Sequence, residues 1–248
     1  MKNPVSISVY CLLFALLSIS WLPLQKQINL TTGYSSAVLI PGSAANNFRN
    51  DEVASLYSLL SLQQKGLSIQ AFEYAYKGYQ RLLARKVISK QDYLTICDFS
   101  QSSNSKRFYL IDMANNKIVV NTYVAHGRRS GGEYATRFSN KSESFQSSLG
   151  FYVTKNTYYG EHGLSLRVAG LEKGYNDKAL KRNIVIHGAD YIGDKWLKRS
   201  NYMGRSYGCP AIPGKESGLI INTIKNGSCV FIYHPSPGYL NGSKILNG

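Results

Sequence analysis

The chain has 248 residues, with 29 Lys and Arg against 14 Asp and Glu, and 44% of its residues are hydrophobic. This length and hydrophobic fraction allow a buried core, and they exclude a disordered or collagen-like chain. Four cysteines are too few for a disulfide-dense scaffold. The formal net charge of +15 predicts a polyanionic partner, which could be nucleic acid, an anionic membrane surface or an acidic wall polymer.

Residues 1–24 have the pattern of an export signal. A basic residue near the start precedes the apolar run Val9–Leu17, and Ser18 and Ser20 lie at a spacing that signal peptidases accept. Because no Ala-x-Ala is present, the segment fits either a cleaved signal peptide or an uncleaved membrane anchor from Val5 to Leu24. Both forms place the rest of the protein outside the cytoplasm, in the periplasm or cell envelope, and argue against a nucleic-acid partner.

A helical pair is predicted after a linker. Residues 25–49 are small and polar, as in a linker that leads to a folded domain. In residues 50–90, apolar side chains recur at helical spacing in two runs, and Ser68 can cap the second helix. The two apolar faces contain Val53, Leu56, Tyr57 and Leu60, and then Phe72, Tyr76, Tyr79 and Leu83.

Residues 91–235 are predicted to form a mainly β domain. Runs rich in β-branched and aromatic residues predict strands at 93–99, 107–113, 117–126, 149–155, 164–170, 183–187 and 228–234. Asn115-Asn116 predicts a hairpin turn, and the Gly- and Ser-rich residues 127–147 predict a functional loop. Short helices are expected at 177–182, 194–200 and 215–225, followed by a tail at 236–248. The predicted fold class is α+β, mainly β, with peripheral helices.

The cysteines differ in their surroundings. Cys97 and Cys229 lie in β-branched, aromatic runs, where a cysteine is most often a small buried hydrophobic residue. Cys209 instead lies between a glycine and a proline, in a segment that neither a strand nor a helix favours. Removal of a signal containing Cys11 would leave an odd number of cysteines, as expected for a free reactive thiol or a bond to another chain.

His187 and Cys209 form the most informative pair. His187 ends a β-branched run, at a place where loops build sites. A glycine precedes Cys209 and permits a tight turn whose amides face an attacked carbonyl. Because a cysteine needs a base to become a thiolate, the pair predicts nucleophilic catalysis and a lowered pKa for Cys209. Sequence order alone does not show that the two side chains meet. The histidines and Cys209 lack zinc-ligand spacing, so neither a metal nor a cofactor is expected.

The residues around this pair resemble the L,D-transpeptidases of the YkuD class, whose mark is a His-Gly followed later by Ser-x-Gly-Cys. The matching segments are His187-Gly188 and Ser206-Tyr207-Gly208-Cys209. The chain is similar in particular to the murein L,D-transpeptidase branch in which Pro-Ala follows the cysteine, over about residues 90–235. The resemblance implies an L,D-transpeptidase-like β-sandwich or barrel with peripheral helices.

The resemblance also implies a role for each motif residue. The Cys209 thiolate attacks the carbonyl of the diamino acid at the third position of a tetrapeptide stem, D-Ala leaves and a thioester forms. An amine from a neighbouring stem then resolves the thioester, and His187 transfers the protons. The carbonyl of Gly188 orients the His187 imidazole, and Ser206 forms a hydrogen bond within the turn. The oxyanion hole is formed by the amides near Tyr207, Gly208 and Cys209.

One position departs from the family pattern, which has an arginine two residues after the cysteine. Ala211 occupies this position here. Substrate contacts are therefore expected from Arg205, from Tyr207 and from the basic residues of the 128–137 loop. His126 follows a predicted strand and is a further candidate for lining the cleft, with a structural histidine as the alternative.

These observations predict an exported L,D-transpeptidase, a cysteine acyltransferase that acts on peptidoglycan stem peptides. An L,D-carboxypeptidase or a wall-peptide hydrolase could use the same Cys–His site, because acceptor choice depends on the shape of the cleft. A non-catalytic basic protein that binds an acidic cell-wall polymer is the other alternative. A protein that only binds the wall would not need a cysteine in a tight turn next to a glycine.

Overall fold

The described part of the protein is residues 51–248 of a computed structural model. The predicted export segment, residues 1–24, and the predicted linker, residues 25–49, lie outside it. All described residues belong to one of the two units into which the chain divides, Ile40–Gly248.

The two predicted helices are present. Helix α1 occupies residues 51–59, a 3-10 turn follows at Gln63–Lys65, and helix α2 spans Ile69–Ala84. The Ser68 hydroxyl accepts a hydrogen bond from the Ala71 amide at 3.1 Å, which confirms the predicted N-cap. The buried face of α2 joins the core of the sheet through Phe72, Tyr76, Tyr79 and Leu82.

Eight strands form one sheet. They are β1 (Tyr93–Asp98), β2 (Phe108–Asp112), β3 (Lys117–Thr122), β4 (Gly150–Gly160), β5 (Gly163–Gly170), β6 (Val185–Ala189), β7 (Ala211–Pro213) and β8 (Cys229–Tyr233). Their order in the sheet is β3-β2-β1-β8-β4-β5-β6-β7. The pairs β1–β8 and β6–β7 are parallel and the other neighbours are antiparallel.

The sheet is nearly closed. After β3, the chain crosses to the opposite edge, where Ala125 forms an antiparallel bridge with Ala211 and Gly127 forms a parallel bridge with Ser206. The mainly β prediction, with a sandwich or barrel and peripheral helices, is confirmed. The closure matters for function, because it brings residues from the two ends of the sheet to the turn that contains Cys209.

The predicted turn at Asn115-Asn116 joins β2 to β3. The side chain of Asp112 accepts a hydrogen bond from the Asn115 amide at 2.9 Å, and Asn116 has φ 48°. Asparagine tolerates this left-handed conformation better than most residues, which explains why an Asn pair predicts the hairpin.

Four helices follow the strands or lie between them: α3 (Asp194–Leu197), α4 (Gly214–Ile224), α5 (Pro237–Gly242) and α6 (Lys244–Asn247). The predictions at 194–200 and 215–225 correspond to α3 and α4. The helix predicted at 177–182 was wrong, because this segment consists of turns. No helix within residues 51–248 is long and apolar enough to cross a membrane.

Side chains explain the turns before β6. The Glu172 amide donates to the Asn176 side-chain oxygen at 2.9 Å, and the Gly174 amide donates to the Asp177 carboxylate at 2.7 Å. Asn and Asp compete for backbone amides in this way and disfavour helix interiors. These side-chain hydrogen bonds therefore favour turns over the predicted helix in this segment.

The C-terminal residues 236–248, expected to be a tail, fold against the domain. They contain α5 and α6, whose Leu246 is fully buried. The buried Glu172 carboxylate accepts hydrogen bonds from the Phe151 amide at 2.8 Å and the Tyr239 hydroxyl at 2.8 Å, and it is also bonded to the Ser243 hydroxyl. One carboxylate thus joins β4 to both C-terminal helices.

Cys97 and Cys229 are confirmed as buried residues of the core. Both are fully inaccessible, on β1 and β8, and both are free thiols. Burial raises the pKa of Cys97 to about 12. Neither thiol competes with Cys209 as a nucleophile at neutral pH.

Candidate active site

His187 lies in the middle of β6, between β5 and β7. Its register partners are Ser165 on β5 and Ala211 on β7, and it is 2% exposed. The Nδ1 atom is 2.9 Å from the carbonyl oxygen of Gly188. Because a carbonyl can only accept, Nδ1 holds the proton and Nε2 keeps a lone pair that can accept one.

Burial lowers the pKa of His187, and the nearby His162 lowers it further, while the hydrogen bond to Gly188 opposes both effects. The imidazole is therefore neutral at physiological pH, as a general base requires. The predicted role of the Gly188 carbonyl in orienting the ring matches this geometry.

Gly188 is required by packing as well. A Cβ atom added there would lie 2.7 Å from the Ser217 hydroxyl oxygen on α4 and 3.2 Å from the Gly214 Cα atom. The missing side chain lets the start of α4 approach β6 directly behind the histidine.

The turn before β7 presents two backbone amides. The Ser206 hydroxyl accepts from the Gly208 amide at 3.0 Å and donates to the Cys209 carbonyl at 2.6 Å. The Gly208 amide is thereby occupied. The amides of Tyr207 and Cys209 have no hydrogen-bond acceptor within residues 51–248, so only two of the three amides expected in the oxyanion hole are free.

Gly208 makes this turn possible. Its φ of 125° lies in a region that side chains with a Cβ rarely adopt, and an added Cβ would lie 2.8 Å from the Gln146 carbonyl oxygen. The strand-to-turn geometry at Cys209 therefore depends on this glycine.

The Cys209 side chain is half-buried at the end of this turn. Its Sγ accepts from the Val185 amide at 3.5 Å and donates toward the Asn183 carbonyl at 3.7 Å. Burial raises the pKa of Cys209, although the Val185 hydrogen bond and the positive charge of Arg182 lower it in part. The lowered pKa predicted from the sequence was wrong, because burial outweighs both opposing effects. No hydrogen bond within the described residues joins the thiol to the His187 ring.

The raised pKa has a measurable consequence for alkylation. The thiolate fraction of Cys209 at pH 7 is below that of a free cysteine, whose pKa is about 8.5. We expect iodoacetamide to modify Cys209 more slowly than glutathione at pH 7, with a rate that still rises above pH 9. Peptide mass spectrometry would follow the reaction. A rate that levels off below pH 8 would contradict the raised pKa.

One cavity of about 290 Å³ contains both Cys209 and His187. The side chains that complete its lining are Arg128, His162, Tyr191, Arg205, Ser206 and Tyr207. The structure thus brings together the predicted residues Cys209, His187, Ser206, Tyr207 and Arg205. The lining has two arginines and no carboxylate, so it favours an anionic ligand.

Arg128 has an unusual position at this cavity. Its guanidinium carbon lies 4.5 Å from the ring centres of both Phe145 and Tyr207. The two rings hold the cation in place, while its side chain forms no hydrogen bond or ion pair within residues 51–248. In the same part of the chain, the Arg205 side chain donates a hydrogen bond only to the Gly131 carbonyl, at 3.2 Å. Both guanidinium groups retain donors for a ligand, whereas the fully buried Ala211 offers none.

His126, the other candidate for substrate binding, lies outside this cavity. It is 1% exposed, and its Nδ1 atom accepts a hydrogen bond from buried Arg107 at 2.7 Å. Burial and the neighbouring Arg107 charge lower the pKa of His126 to about 3. The burial of His126 and its hydrogen bond to Arg107 favour the structural histidine over the substrate-binding role.

Three residues at the site were not predicted: Tyr191, which lines the cavity, His162 and Arg182. The His162 ring stacks on the His187 ring, with centroids 4.2 Å apart. Arg182 lies behind the Cys209 turn and donates to the carbonyls of Ser139 at 2.8 Å and Gln146 at 2.6 Å. The glycines that flank Glu161-His162 signal a tight turn, but no sequence feature links that turn to His187.

No metal-binding arrangement is present in the described part of the chain, where no three His, Cys, Asp or Glu side chains are grouped to hold an ion. The chemistry available from the residues present is that of a thiol nucleophile, an imidazole base and two free amides. Together they form the site of a cysteine-dependent acyl-transfer domain.

The sequence match extends over this whole site. Residues 63–233 match the model of the family described as the L,D-transpeptidase catalytic domain, YkuD_2. The match covers more than half of the chain, and the protein therefore belongs to this L,D-transpeptidase family. A comparison with curated proteins finds no match.

The solved structures that match this chain include L,D-transpeptidases from two mycobacteria. The enzyme from Mycobacterium smegmatis is 10% identical with a TM-score of 0.36, and the match covers 58% of this chain and 59% of that one. The enzyme from Mycobacterium tuberculosis is 12% identical with a TM-score of 0.35, and the match covers 58% of each chain. The matches thus span less than two thirds of those proteins, and the family assignment rests on the sequence match.

Proposed function

We propose that this protein is a cell-envelope L,D-transpeptidase that transfers peptidoglycan stem peptides through a thioester on Cys209. The observation that supports this most strongly is the shared cavity, which holds a neutral imidazole, a thiol and two arginines. Export through residues 1–24, cleaved or retained as an anchor, belongs to the same proposal. It would place the enzyme beside its polymeric substrate.

The first half-reaction uses Cys209 as nucleophile. His187 Nε2 takes the thiol proton as Sγ attacks the carbonyl of the third stem residue, a diamino acid. The new S–C bond forms, the C–N bond to D-Ala breaks, and His187 returns the proton to the leaving amine. Because the resting thiol and imidazole are both neutral, proton transfer accompanies attack and does not precede it.

Two amides stabilise the charge that develops. The free N–H groups of Tyr207 and Cys209 can donate to the oxyanion, while Ser206 uses the Gly208 amide to hold the turn. The Ser206 bond to the Cys209 carbonyl adds a second constraint on the same turn. Pre-formed donors of this kind need no reorganisation during the reaction.

The second half-reaction determines the product. An amine of a neighbouring stem attacks the thioester carbonyl and gives its proton to His187. A new C–N bond forms as the C–S bond breaks, and His187 passes the proton to the Cys209 sulfur, which restores the thiol. Water in place of the amine would make the same site a carboxypeptidase. This is the second candidate function, and it differs only in the acceptor.

Arg128 is proposed to bind the terminal carboxylate of the donor stem. Ala211 cannot do so, although it occupies the position where the family pattern has an arginine. We expect Arg128→Gln to raise KM for the donor about 10-fold, with a smaller change in kcat, because a charged hydrogen bond contributes about 1.5–3 kcal/mol. Arg129→Gln is the matched control, since Arg129 lies over the same Phe145 ring but not on the cavity. Equal effects of the two substitutions would contradict this role.

The positive charge is proposed to hold the enzyme on the anionic wall. With a net charge of +15, binding to isolated sacculi should weaken markedly between low salt and about 0.5 M, because salt screens exposed charges. Pelleting assays with purified sacculi measure this directly. Binding that is independent of salt would show that charge does not drive wall association.

The experiment that tests the proposed function is product analysis with tetrapeptide muropeptides. The full chain should convert disaccharide-tetrapeptide into cross-linked dimers and free D-Ala, detected by mass spectrometry. Cys97→Ala is the matched cysteine control and should remain active, whereas Cys209→Ala should not. Tripeptide without dimers would support the carboxypeptidase, and an unchanged substrate would refute both enzymes in favour of a wall-binding protein.

A further inference from the structure

The β4–β5 hairpin brings a second histidine to the site. Gly160 and Gly163 are register partners at the hairpin end, so Glu161 and His162 form a two-residue turn. The β5 strand continues to Ser165, which pairs with His187. The hairpin thereby extends past β6 and places its turn over the catalytic histidine.

The contact between the two imidazoles is face to face. Their centroids are 4.2 Å apart and their planes are inclined by 18°. His162 is an exposed residue, while His187 is 2% exposed. The His162 ring therefore covers one face of the His187 ring. The Gly188 carbonyl holds the edge of that ring at 2.9 Å, and the two contacts together define its plane.

We propose that His162 is a positioning residue for His187: its ring fixes the plane of the His187 imidazole and shields it from water. This inference rests on the proposed function, because it takes His187 to be the general base. The stacking and the shielding themselves do not require any substrate.

The charges around His187 support this role. The titratable and charged groups that share its cavity are Arg128, His162, Tyr191, Arg205, Tyr207 and Cys209. None of them is a carboxylate, and the register partners on β5 and β7 are Ser165 and Ala211. Burial first, and His162 second, lower the pKa of His187. Removal of the His162 ring would reduce the burial of His187 and would also remove the electrostatic effect of His162 on it.

Histidine NMR titration of the full chain tests the proposal without a substrate. In His162→Ala, the pKa of His187 should rise toward the ordinary value of about 6.5, because water reaches the ring. In His162→Phe, an uncharged ring still covers His187, so its pKa should stay near that of the wild type. Glu161→Ala changes the other residue of the turn, which does not line the cavity, and should leave the titration unchanged.

Kinetics supply the second readout. A protonated His187 cannot act as a base, so the acid limb of kcat/KM should move to higher pH in His162→Ala and stay in place in His162→Phe. Thermal unfolding checks that each variant is folded. Identical His187 titrations in the wild type and His162→Ala, or equal shifts in the Ala and Phe variants, would overturn the proposal. A wild type without muropeptide turnover would count against the proposed function alone, since the titration still decides the role of His162.

Discussion

Replacement of His187 by Gln should lower the rate of cross-linking about 10²–10⁴-fold, the usual contribution of a general base. Glutamine keeps a polar side chain but cannot accept the Cys209 proton. The raised pKa of Cys209 makes this loss large, because the thiol does not ionise readily without the imidazole. Steady-state assays of dimer formation at pH 7 would measure the effect.

The matched control is His234→Gln. His234 is partly buried, its ring centre lies 4.9 Å from that of Phe138, and it does not line the Cys209 cavity. It should retain most of the activity, and both variants should be folded by circular dichroism. If His187→Gln kept more than about a tenth of the wild-type rate, an effect far below the range for a general base, another group would be the base.

Replacement of Gly208 by Ala should have a second large effect. The added Cβ would lie 2.8 Å from the Gln146 carbonyl oxygen, on a backbone with φ 125°. Backbone strain of this kind costs about 1–3 kcal/mol. We expect the turn to shift and the Tyr207 and Cys209 amides to move, with a loss of up to about 10²–10³-fold in kcat, as for loss of an oxyanion-hole donor.

Gly174→Ala separates backbone strain from the clash. Gly174 also has a positive φ, 86°, but an added Cβ there would meet nothing within 4 Å. The Gly174→Ala variant should be less stable than the wild type, but its kcat should not fall as far as that of Gly208→Ala. Similar catalytic losses in Gly174→Ala and Gly208→Ala would mean that the turn geometry is not what the reaction requires.

The sequence predicted the parts of the site that local chemistry determines. A glycine before Cys209 predicts a tight turn, and this turn is present. The β-branched run before His187 predicts a strand that ends there, whereas β6 continues to Ala189 and His187 lies in its middle. Ser68 capped a helix for the same local reason. By contrast, turns replace the helix expected at 177–182, because Asn and Asp side chains accept hydrogen bonds from backbone amides just before and within this segment.

Features that depend on tertiary contacts could not be predicted. The burial of His126 against Arg107 and the burial of Cys209 beside Val185 depend on residues that are distant in the sequence. His162 reaches His187 only because the β4–β5 hairpin pairs with β6. The packing of residues 236–248 against the domain likewise depends on a hydrogen bond to Glu172, which is distant in the sequence.

The central claim is that Cys209 forms a thioester with the donor stem. Its most direct test is intact-protein mass spectrometry after brief incubation with a tetrapeptide donor, without an acceptor amine, followed by acid quenching. The proposed function predicts an adduct equal to the donor minus D-Ala, located on the peptide that contains Cys209 and absent in Cys209→Ala. An adduct on Cys97 or Cys229, or donor turnover by Cys209→Ala at the wild-type rate, would contradict it.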